Sequence, residues 1–105
     1  MNNNRISIAY DQLPNSNKIN RYINKAVRSW ENYINQIVPS DEESEKFYKR
    51  AEKIAQAEAT KKGYTVRFDY PGLYPTFEIT NINSGKEYTA YNTAEFFKRI
   101  NGFWD

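Results

Sequence analysis

The chain has 105 residues, of which 39% are hydrophobic and 16% aromatic, and its formal net charge is +2. That is material for one core in a single domain over residues 1–105, without the basic excess of a dedicated nucleic-acid binder or the acidic excess of a nucleic-acid mimic. Cys and His are both absent, which removes disulfides, the usual zinc ligands and the Ser-His and Cys-His nucleophile systems, and with them most enzyme classes.

The stretch RISIAY alternates Ile6, Ile8 and Tyr10 with Arg5, Ser7 and Ala9, the period of a half-buried strand. Asn15, Ser16 and Asn17 then offer N-caps for a long amphipathic helix. Its apolar residues Ile19, Tyr22, Ile23, Ala26, Val27, Trp30, Ile34 and Ile37 recur every three or four positions, and it should end near Val38. Trp30 is expected in the core, between this helix and a sheet. Pro39 stops the helix, and Ser40 with Glu43 forms a capping box that opens a second one, closed by Lys61, Lys62 and Gly63. The apolar stripe of this second helix, mostly Phe47, Ala51, Ile54 and Ala55, is thin, so the helix should be more exposed than the first and suited to covering a sheet edge.

YTVRFDY and TFEITNI alternate with period two on either side of DYPGLYP, and NSG leads on to KEYTAY. These are three antiparallel strands in a meander. Asn92 with Glu95 forms a further capping box, and Phe96, Phe97, Ile100, Phe103 and Trp104 crowd a short terminal helix that Gly102 should end. The order β-α-α-β-β-β-α defines an α+β two-layer domain, an antiparallel meander packed against helices. No apolar run reaches the length of a membrane span or a signal core, so the expected location is cytoplasmic, with no membrane partner.

Two surfaces qualify as binding sites. At the hairpin tip, Pro71 presets the first central position of a turn and Gly72 suits the positive φ of the second, the type II signature. Tyr70, Leu73 and Tyr74 are large apolar side chains where turn chemistry asks for none; a stiff loop carrying them reads as a partner-binding anchor or as a lid folded over the core. On the first helix, Lys18, Arg21, Lys25 and Arg28 fall within about 80° of arc. They form a basic stripe with Asn24, Asn32 and Arg67 as neighbours, a phosphate-facing ridge or an ordinary solvated face. Asp69 and Glu78 flank the hairpin and would face each other across it as paired carboxylates, a weak candidate for catalysis. The cluster Asp41, Glu42, Glu43 and Glu45 lacks the glycine and spacing of a calcium loop, and none of the four Gly forms a phosphate cradle. No catalytic residue, metal site or cofactor is expected.

By elimination, the leading reading is a non-catalytic protein-binding module using Tyr70, Leu73 and Tyr74. The alternative is a nucleic-acid-binding accessory protein using Lys18, Arg21, Lys25, Arg28 and Arg67. A homo-oligomer is compatible with either. Asn, Ile, Lys and Tyr are heavily used and have A/T-rich codons, which points to a low-GC bacterium, its phage or its plasmid. In general profile the chain resembles the small anti-defence proteins of mobile elements, anti-CRISPR proteins among them, which share no common motif. The resemblance implies an inhibitor or modulator of a host protein.

Overall fold

The computed structural model describes residues 14–34 and 42–102. The expected strand over RISIAY, the Ser40 cap, Pro39 and the residues Ile37, Val38, Phe103 and Trp104 lie outside the described residues. Within them the order is α1 (Pro14–Ile34), α2 (Glu42–Lys61), β1 (Tyr64–Asp69), β2 (Thr76–Asn81), β3 (Glu87–Ala90) and α3 (Thr93–Ile100). The sheet is an antiparallel meander, β1-β2-β3, and helices pack on one of its faces, which makes this a small α+β fold.

Period-two alternation sorts the sheet residues. Val66, Phe68, Phe77, Ile79 and Ala90 are buried, and Phe77 stacks on Phe96 of α3 at 4.9 Å. The intervening Thr65, Arg67, Glu78, Thr80 and Thr89 make up the opposite, open face. There Glu78 accepts hydrogen bonds from Thr76 on its own strand and Thr89 on β3, both at 3.1 Å. The register sets Asp69 against Thr76 and Arg67 against Glu78, so the two carboxylates do not face each other as expected.

Local signals account for several boundaries. Asn92 Oδ1 accepts from Glu95 N–H at 2.8 Å, capping α3, and Gly102 beyond its end has φ +84°. Gly63 closes α2 with φ +87°, donating to Thr60 O at 3.2 Å. The start of α1 differs from expectation. Pro14 is its first residue, a position where a missing N–H is harmless, which places Asn15, Ser16 and Asn17 inside the first turn.

The second helix is more central than its thin stripe implied. Ser44, Ala51, Ala55 and Ala59 are all buried, because small side chains let α1 approach closely in an antiparallel hairpin. Ser44 Oγ donates to the Ala26 carbonyl at 2.9 Å across that seam. The other flank of α2 packs on β1, where Glu52 accepts the Phe68 N–H at 2.7 Å. β1 is an edge strand, so this carboxylate satisfies a backbone donor that would otherwise face solvent. The expectation that α2 covers an edge holds at this point.

Candidate functional site

The hairpin tip does not adopt the expected turn. Gly72 lies outside the positive-φ region, so Pro71-Gly72 is not a type II turn. The loop is held from outside instead: Tyr48 on α2 donates its hydroxyl hydrogen to the Leu73 carbonyl at 2.5 Å. A tertiary bond replaces local turn chemistry and draws the tip down onto the helical layer.

The tip residues separate as a result. Leu73 is half-buried and packs against the core, the lid arrangement of the two readings the tip allowed. Tyr74 is 60% exposed and Tyr70 48%. Tyr70 continues the core-facing row of Val66 and Phe68 past the end of β1, where the sheet no longer covers it. Its ring meets Tyr48 edge-on at 5.2 Å and Phe68 at 6.4 Å.

Trp30 completes the arrangement. It is half-buried rather than a core residue, on a helix that packs chiefly on α2 and not on the sheet. Trp30, Tyr48, Tyr70, Gly72 and Leu73 line an open groove of about 440 Å³. Three separate elements thus supply one concave, largely aromatic surface with Tyr74 on the same loop. Neither Trp30 nor Tyr48 was distinguishable from a core residue in the sequence. The signal that could have marked Tyr48 is its place one turn before Glu52 on α2, on the flank that faces β1.

The groove is electrostatically uneven. Burial pushes the Tyr70 hydroxyl up to about 12, helped by the charge of Glu52 and by Tyr48 and Glu45. Tyr48 is also raised, first by burial, then by Tyr74, with Glu31 contributing. Glu31 of α1 and Glu45 and Glu52 of α2 thus act on the tyrosines from outside the groove lining.

The basic stripe is present as read, with Lys18, Arg21, Lys25 and Arg28 all exposed on α1. Asn17, Asn20 and Asn24 join Arg21, Lys25 and Arg28 around a shallow recess of about 400 Å³. Arg67 does not belong to it. Its position in β1 turns it to the open sheet face, away from the helices. The side chain of Asn32 lies outside the described ones. Among the described residues no group of three or more acidic side chains is placed to hold a metal ion, and no helix is long and apolar enough to cross a membrane. Comparisons of the chain with protein-family models, with curated proteins and with solved structures find no match.

Proposed function

We propose that the protein is a non-catalytic protein-binding module that takes an apolar side chain of its partner into the groove formed by Trp30, Tyr48, Tyr70 and Leu73. One observation carries this reading. Large side chains from α1, α2 and the hairpin tip converge on one open groove at the margin of the core, where Tyr70 stays 48% exposed. Exposed aromatics on a preformed support lose little entropy on binding, and Tyr and Trp are preferred interface anchors. Glu31, Glu45 and Glu52 around the tyrosines favour a partner segment with a cation beside its apolar anchor. The partner in this proposal is a host protein, and the module its phage- or plasmid-encoded inhibitor or modulator; small size and an A/T-codon composition support that part.

Selection of a displayed random peptide library on the wild type, with counter-screening on Y70S/Y74S, tests the site. Both residues are exposed, so the variant should fold normally. Selected peptides should share an aromatic or aliphatic anchor next to Lys or Arg and bind the variant about tenfold or more weakly, as expected for loss of an interface anchor. A library that yields no binder, or binders indifferent to both substitutions, would remove the reading. A pull-down from a low-GC bacterial lysate should likewise lose its captured protein in the variant and keep it after nuclease treatment.

A further inference from the structure

We infer that the outer face of the α1–α2 hairpin is a second site, which binds the phosphate backbone of nucleic acid without regard to sequence. The stripe of α1 does not stand alone. Tyr22 of α1 and Phe47 of α2 stack at 6.2 Å across the helix seam, and cations from both helices sit over the pair. Lys25 lies 5.7 Å from the Phe47 ring and Arg50 5.9 Å from the Tyr22 ring. Arg50 in turn shares a recess with Lys46, one turn before it on α2, and Lys53, one turn after it, with Lys49, Glu42 and Glu45 completing the lining. The cations of two helices form one continuous surface, bridged by an aromatic pair.

Charge placement on this face suits a polyanion. Among the described residues, Lys18, Arg21, Lys25 and Arg28 are in no ion pair, and α1 carries a single acidic residue, Glu31. Glu42, Glu43 and Glu45 bound the surface at the first turn of α2, with Lys49 paired to Glu45 at 3.1 Å. Lys18 to Arg28 spans about 15 Å of helix, the length over which one strand of duplex presents about four phosphates. Asn17, Asn20 and Asn24 beside the stripe supply amide donors of the kind that accompany phosphate contacts. An anionic membrane fits less well. The apolar residues Ile19, Ile23, Ala26 and Val27 of α1 are buried, so among the described side chains the basic face carries no apolar stripe to enter a bilayer.

Fluorescence anisotropy with a labelled mixed-sequence duplex and a single strand tests this. The wild type should bind both, with log affinity falling linearly against log salt at a slope of about −3 to −5. K18E/R21E/R28E should lose about 100-fold or more at low salt. Its control, K62E/R67E/K86E, has the same net charge with the reversals placed away from this face, and should lose less than tenfold. Lys25 is spared because it covers the ring pair. Circular dichroism should find both variants folded, and Y70S/Y74S should bind nucleic acid as the wild type does, which separates this site from the groove. K46Q/K53Q should flatten the salt slope if the first variant fails to fold. No binding at low salt, equal loss in the two reversal variants, or binding to phosphatidylserine vesicles but to neither oligonucleotide would overturn the inference.

Discussion

Leu73 and Tyr74 are adjacent in sequence and differ in role because Tyr48 fixes the main chain between them and the core. Leu73→Ser should lower stability by about 1 to 2 kcal/mol, the value for losing a partly buried aliphatic side chain. Tyr74→Ser should change it by about 0.5 kcal/mol or less, as for an exposed position, and urea denaturation of the two single variants will measure the contrast. Tyr70 makes a second prediction. Its proton is held to about pH 12 in the folded chain against an ordinary value of 10.0, so the unfolded chain ionises first. The stability Tyr70 contributes is therefore whole below pH 10.0 and is lost as the pH rises toward 12. An ultraviolet titration of tyrosinate should show a late phase that Tyr70→Phe removes. In the sequence, the apolar side chains of the tip were legible and their division was not. Turn propensities see only neighbours along the chain, whereas the bond from Tyr48 crosses 25 positions.

The helices were more legible at their ends than in their packing. Asn92, Gly63 and Gly102 act as caps because a cap is local chemistry, satisfied within a few residues. The central place of α2 was hidden, since Ala contributes little to an apolar stripe yet allows the closest helix approach. Ala51→Leu tests that account. With Ala51 fully buried in the seam, the added bulk should lower stability by about 1 to 3 kcal/mol, whereas the same change at the exposed Ala57 should be nearly neutral. Thermal melts of both variants supply the comparison. An equal effect at the two positions would mean that the helices are not closely packed there.

For the molecule as a whole, the α+β class was readable because the hydrophobic period changes from 3.6 to 2 at Gly63 and back at Asn92. The net charge of +2 was a poor guide, since it averages an acid-poor α1 against the acidic start of α2. Trp30 and Arg21 lie about 180° apart around α1 at 100° per residue. The groove and the basic face therefore look in opposite directions from the same helix. A ligand on one leaves the other open, so a protein and a nucleic acid could be held at once.

The meander order also bears on how the chain reaches this state. β1 pairs with β2, β2 with β3 and α1 with α2, each with its neighbour in sequence. Loop closure for every one of these pairings spans few residues and is entropically cheap. The exception is the docking of α1 on α3, where Thr93 Oγ1 donates to Asn20 Oδ1 at 2.6 Å across 73 positions. A topology so rich in local contacts belongs with the small mixed domains that fold in roughly the millisecond range. The helical hairpin and the meander with α3 can each assemble from adjacent segments and then join chiefly through α2 and β1, with α1 on α3 closing the longest loop.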